Sequence, residues 1–142
     1  AMGLTNYLID EQIPMKILDF MKTFISSKII FLMMLNLLLL IVGCMMDMFS
    51  AIVVIVPLIV PIAKEFGVNP VHLGVIFLAN LEIGYFTPPV GLNLFISSFR
   101  FNKSIIKLYT SALPFLIIYL IALLIITYVP DLSLLLVGLF GN

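Results

Sequence analysis

The chain has 142 residues, of which 63% are hydrophobic and only 10% charged, and its formal net charge is +0. A soluble domain carries about 25% charged residues, so this composition, with a mean hydropathy of +1.31, excludes a water-covered globule and defines an integral membrane protein. The neutral balance gives no basic face for nucleic acid, and one cysteine and one histidine exclude an intrachain disulfide and a transition-metal site built from clustered Cys and His. No nucleotide-binding, metalloprotease or serine-hydrolase motif occurs. No catalytic residue and no cofactor is therefore expected. The N-terminus lacks the basic, apolar and small-residue order of a signal peptide.

Residues 1–28 open with polar Thr5, Asn6, Asp10, Glu11 and Gln12, read as the end of a preceding helix. After Pro14, residues Ile17, Leu18, Met21, Phe24 and Ile25 recur at helical spacing while Lys16, Asp19 and Lys22 fall elsewhere. That pattern predicts an amphipathic helix, either in the membrane interface or packed as a connector.

Residues 29–63 carry one charge, Asp47. A straight helix through them would be about 50 Å long against a hydrocarbon core of about 30 Å. The middle offers a break at Gly43-Cys44-Met45-Met46-Asp47. Two solutions remain from the residues alone: one broken span, or a re-entrant hairpin with its tip at 43–47 and arms of about 22 Å. Asn36, polar within the first arm, is expected to bond across helices. Cys44 reads as a small packing residue.

A loop over 64–70, rich in breakers, leads to a helical stretch over 71–99 that carries His72, Asn80 and Glu82. This stretch is interrupted over 84–91, where Pro88 and Pro89 lack backbone N–H groups and Gly84 and Gly91 bracket them. Broken backbone at membrane depth is tolerated only when buried in protein or lining a polar cavity, and secondary transporters use it to hold ions and substrate. A basic loop over 100–111 holds Arg100, Lys103 and Lys107. A final transmembrane helix is expected over 112–129, followed by a short apolar tail over 130–142. His72 reads as an interfacial histidine. Counting Lys and Arg on each side of the expected spans leaves the orientation open.

Asp47, ionisable in the middle of an apolar run, reads as a cation or proton site or as the cap of the second arm, with capping favoured. Around Thr87, unwound carbonyls and a hydroxyl supply the hard oxygen donors that Na⁺ prefers. Two prolines between two glycines exceed what a simple kink needs. Glu82 precedes the break as a proton carrier or a counter-ion, or as a group that points to a polar cavity or pairs outside this chain, and Asn80 and Asn93 flank it.

The ordered set Gly43–Asp47, Pro57-Leu58-Ile59-Val60-Pro61, Gly67–Gly74, Asn80–Gly84 and Thr87-Pro88-Pro89-Val90-Gly91-Leu92-Asn93-Leu94-Phe95 resembles the C-terminal part of the large membrane subunit of TRAP (tripartite ATP-independent periplasmic) transporters. Cys44-Met45 departs from the pair usual there. The resemblance runs from about Ile13 to about Tyr128. It implies an all-α membrane protein forming the second inverted repeat of an elevator-type transporter, with a re-entrant hairpin over 29–63, a broken transmembrane helix over 71–99 and a final transmembrane helix. It implies a Na⁺ site at Gly43, Asp47, Gly84, Thr87, Pro88 and Gly91, with Asn80, Pro89 and Asn93 close to substrate and Glu82 in support. The implied activity is Na⁺-coupled uptake of organic acids, of the C4-dicarboxylate or sialic acid type, across the bacterial inner membrane. Implied partners are a small membrane subunit, a periplasmic substrate-binding protein, the N-terminal half of the same subunit and the lipid bilayer. Alone, the chain is not expected to transport. The competing class is a structural or channel-forming membrane subunit without ion coupling; a membrane enzyme lacks any visible nucleophile and base.

Overall fold

The computed structural model describes Asp19, Thr23, Ile25, residues 27–88 and residues 90–140. The amphipathic helix expected before residue 28 lies almost wholly outside the described residues. Within them the chain forms six α-helices: α1 Lys28–Met45, α2 Met48–Glu65, α3 Pro70–Gly84, α4 Leu92–Phe101, α5 Ile105–Tyr128 and α6 Pro130–Phe140. Three of these, α1, α2 and α5, are long and apolar enough to cross a membrane.

Local chemistry sets most of the ends. Ser27 caps α1 by accepting from the Ile29 N–H at 3.3 Å. The helix stops where Met46 and Asp47 turn extended. At Asp47 the next helix starts, because its carboxylate accepts from the Ser50 N–H at 3.0 Å and from the Ser50 hydroxyl at 2.6 Å. At the far end of α2, Gly67 takes φ +69°. There the Gly67 N–H reaches the Lys64 carbonyl and the Val68 N–H the Ala63 carbonyl, both at 2.9 Å. This is the paired closure that a left-handed residue after a helix permits. Asn69 then caps α3, accepting from the Val71 N–H at 2.8 Å with Pro70 in the first helical position.

The ends of α1 and α2 remote from Asp47 come back together. Phe31 stacks on Phe66, with ring centroids 4.4 Å apart and 8° between planes. The Lys28 ammonium donates to the Gly67 carbonyl at 3.0 Å. The two helices therefore form a hairpin, not one broken span. Each arm has 18 residues, or about 27 Å, longer than the sequence suggests because helix persists through Met45 and to Glu65. Gly43 and Cys44 are helical, so the turn itself is Met46–Asp47. The arms bow apart in the middle around an apolar cavity of about 360 Å³, lined by Met34, Leu38, Ile55 and Leu58 among others.

Packing is centred on α3. One stripe of α1 (Phe31, Leu32, Leu35, Asn36, Leu39 and Gly43) is buried against it, while Ile29, Met33, Leu37 and Ile41 face outward. Of the 24 residues of α5, only Leu123 and Thr127 are buried. Outward apolar faces of this kind suit lipid or further membrane helices and not water. Where the sequence predicts a loop to residue 111, α5 instead begins at Ile105. The Ser104 carbonyl accepts from the Lys107 and Leu108 N–H groups, and one lysine in a first turn is compatible with a helix that starts at the membrane surface. Residues 130–140 are helical as well, and α6 packs on α3 and α5.

Candidate ion and substrate site

The last turn of α1, just before the hairpin break, and the end of α3 meet through backbone. A Cβ on Gly84 would sit 2.6 Å from the Gly43 Cα and 2.7 Å from the Cys44 nitrogen. A Cβ on Gly43 would sit 2.9 Å from the Leu81 Cα and 3.2 Å from the Asn80 carbonyl oxygen. Real Cβ atoms do not approach backbone so closely, so only glycine at both positions lets α1 and α3 touch here. The glycines expected to break helices in fact serve this contact.

Beyond Gly84 the described residues 85–88 and 90–91 are not helical, and α4 follows. Short-range bonds hold the turn. The Phe86 N–H reaches the Ile83 carbonyl and the Thr87 N–H reaches the Gly84 carbonyl, each at 3.0 Å. The Thr87 hydroxyl donates to the Ile83 carbonyl at 2.8 Å. A hydroxyl that donates in this way keeps its lone pairs free to accept or to ligate a cation. Gly91, at φ +53°, closes the turn. Its missing Cβ would lie 3.2 Å from the Thr87 carbonyl oxygen and 3.4 Å from that of Tyr85, so two carbonyls converge on one backbone position. The Asn93 N–H, in the first turn of α4, donates to the Tyr85 carbonyl at 3.2 Å. Beside the turn, between α4 and α5, lies a cavity of about 280 Å³, bordered by Phe86, Ser97, Ser111 and Tyr119.

The structure thus brings Gly43 and Gly84 together and gathers Thr87, Gly91 and Asn93 into one turn. Asp47 sits at the hairpin break, exposed, with both carboxylate oxygens on Ser50. Pro88 is exposed, Pro89 lies outside the described residues, and Glu82 is exposed on α3. Asn80 is fully buried between helices, donating to the Asn36 side chain at 2.7 Å and to the Ile76 carbonyl at 2.8 Å.

Asn80 belongs to a buried polar cluster. Asn36 Nδ2 donates to the Thr127 hydroxyl at 3.0 Å, bonding across helices as its place in an apolar arm predicts. His72, read as interfacial, is buried within the bundle. It is 2% exposed, with Nε2 3.1 Å from the Thr127 carbonyl and Nδ1 3.0 Å from the Ser133 hydroxyl. A carbonyl can only accept, so Nε2 donates to Thr127, while the Ser133 hydroxyl can donate to or accept from Nδ1. Helix α6, over the short apolar tail, is what covers this histidine. The signal that points to Thr127 is that it is the one Ser or Thr in the apolar run over 112–129.

The sequence matches the family described as "Tripartite ATP-independent periplasmic transporter, DctM component" over residues 1–132. It is 41% identical over 141 residues to a C4-dicarboxylate TRAP transporter large permease protein of Pseudomonas aeruginosa, covering 99% of this chain and 33% of that protein. It is 42% identical over 133 residues to an isethionate TRAP transporter permease protein of Oleidesulfovibrio alaskensis, covering 94% of this chain and 21% of that protein. A sialic acid TRAP transporter large permease protein of Vibrio cholerae is 34% identical over 143 residues, covering 99% of this chain and 34% of that protein. The chain spans about a third or less of the length of these relatives. These are transporter permeases, not enzymes. A family match over nearly the whole chain, on a helical bundle with three membrane-length helices, makes this chain a multi-pass membrane segment that belongs to the large permease family of TRAP transporters.

Proposed function

We propose that the chain is the second inverted repeat of an elevator-type carrier, coupling Na⁺ to the uptake of organic acids across a bacterial inner membrane. The observation that carries this reading is the backbone contact of Gly43 with Gly84. It sets the break of a helical hairpin beside a turn in which the Tyr85 and Thr87 carbonyls converge.

The hairpin over α1 and α2 would be re-entrant, its tip meeting the unwound turn inside the membrane. Na⁺ would take hard oxygens from the turn, among them the Thr87 hydroxyl and carbonyl, and from backbone near Gly43, Gly84, Pro88 and Gly91. Asp47 would act chiefly by fixing the start of α2. The carboxylate of the substrate would lie near the bound cation and the start of α4, where first-turn N–H groups favour an anion. Asn93 and Pro89 are placed in sequence for this role, and Asn80 and Glu82 would support it from α3. Occupation by Na⁺ would hold the two tips together and complete the carboxylate site, which couples the ion gradient to the cargo.

Relatives named for C4-dicarboxylate, isethionate and sialic acid share this stretch. That supports an acid as cargo. The remaining partners would be the N-terminal half of the permease, a small membrane subunit, a periplasmic binding protein and lipid. The test is uptake into proteoliposomes by the complete transporter with its binding protein, with and without a Na⁺ gradient, comparing wild type with Thr87→Ala. Na⁺-driven uptake that weakens in Thr87→Ala at equal expression is expected. Uptake indifferent to Na⁺ in both refutes the symport reading.

A further inference from the structure

The glycine contact needs a particular register of α1 on α3, and close approach permits that register without fastening it. Apolar side chains along the same seam do so weakly. In a membrane, leucine against leucine is little better than leucine against lipid, so a small slide or roll of α1 meets little resistance from Leu32, Leu35 or Leu39. A hydrogen bond is directional and resists such a slide.

One such bond lies on the seam. Asn36 is about two helical turns before Gly43, and Asn80 about one turn before Gly84. They are joined by Asn80 Nδ2 donating to Asn36 Oδ1 at 2.7 Å. The orientation of the Asn80 amide is fixed, because Nδ2 also donates to the Ile76 carbonyl at 2.8 Å. A flipped amide would aim an oxygen at two oxygens. That orientation leaves Asn80 Oδ1 buried with no partner among the described residues, so the side chain forgoes one bond to keep this one. Thr127 steadies Asn36 from α5, receiving its Nδ2 at 3.0 Å.

We infer that Asn36 and Asn80, steadied by Thr127, are positioning residues: their bond sets the register of α1 on α3 in which Gly43 lies against Gly84. Its consequence for ion affinity rests on the Na⁺ reading above; the register itself does not.

The test uses the complete permease in a Cys44→Ala background. Spin labels are placed at Met45→Cys and Glu82→Cys, both exposed in this chain, to report the distance across the contact. Asn36→Leu is expected to shift or broaden that distance distribution, with Thr127→Val moving it less in the same direction. Leu123→Ala, a lesion in a different buried position, is expected to lower thermal stability and leave the distribution narrow. In uptake assays, Asn36→Leu is expected to raise the half-saturating Na⁺ concentration about three- to tenfold, the fold-change equivalent of one interhelical hydrogen bond.

Distances in folded Asn36→Leu that superimpose on wild type would overturn the inference, as would an equal shift in Leu123→Ala. Should Asn36→Leu not fold, Thr127→Val is read by the same criteria. Should wild-type uptake ignore Na⁺, the symport reading fails, and the distance measurement alone decides the register.

Discussion

Two glycines on one helix make opposite predictions for the same substitution. Gly74 and Gly84 both lie in α3, and glycine within a helix costs about 1 kcal/mol relative to alanine. A Cβ on Gly74 meets nothing within 4 Å, so Gly74→Ala should stabilise the chain by about 0.5–1 kcal/mol. Adding the same methyl at Gly84 places it 2.6 Å from the Gly43 Cα. The obstacle is backbone, which cannot turn aside as a long side chain can. Overpacking of this sort costs about 1–3 kcal/mol, and with no flexible neighbour to yield, Gly84→Ala should fall near the upper end. The helical gain offsets part of this, leaving a net loss of about 1–2 kcal/mol. The two variants should thus differ in melting temperature by several degrees in opposite directions from wild type, measured by circular dichroism in one detergent. Only Gly84→Ala should separate α1 from α3. Stabilisation by Gly84→Ala equal to that by Gly74→Ala would refute the close contact and the site built on it.

Asp47→Ala should cost about 1 kcal/mol through loss of the α2 cap, read as a lower denaturation midpoint. At matched folded protein, its half-saturating Na⁺ in the complete transporter should stay near wild type. In a double-mutant cycle, Asn36→Ala and Asn80→Ala should be non-additive, with a coupling of about 0.6–1.7 kcal/mol; strict additivity would mean that the pair does not interact. His72→Phe removes both ring nitrogens and should loosen α6, seen as faster amide exchange over residues 130–140 with α1 unchanged.

The sequence makes the breaks legible because breaks are written in local chemistry. Asp47 before an apolar run, Asn69-Pro70 and the Pro-Pro stretch each state a helix end through a cap or a missing N–H. The contacts made beside a break are less local. Gly43 reads as part of a turn, yet the turn comes three residues later and the glycine serves a contact with a helix forty residues away. Nothing near Gly43 in sequence announces that partner. The start of α5 is missed for a related reason. Lys103 and Lys107 look like loop, while the helix is decided by the long apolar run beyond, which tolerates a charge in its first turn. The burial of His72 is missed because its neighbours in sequence include the breakers Asn69 and Pro70, whereas its neighbours in space are Thr127 and Ser133 from the far end of the chain.

The same contrast explains what holds the bundle together. In water, a helix such as α1 would be fastened by its apolar stripe; in lipid, that stripe has no advantage over the outward face of Met33, Leu37 and Ile41. Close approach and hydrogen bonds have to provide the specificity. Along the α1–α3 seam they come in that order from the hairpin tip: Gly43 on Gly84, then Asn36 on Asn80. Across α3 the cluster continues through Thr127 and His72 to Ser133, so four helices are joined through one file of polar groups. The arm α2 has a smaller share in this. It meets α1 at the Phe31–Phe66 stack and the Lys28–Gly67 bond, with an apolar cavity between. Among the described helices, α1, α3, α5 and α6 are therefore the four that these polar groups tie together, while α2 is held by apolar packing, with Ala51, Ile59, Ile62 and Ala63 buried in the core.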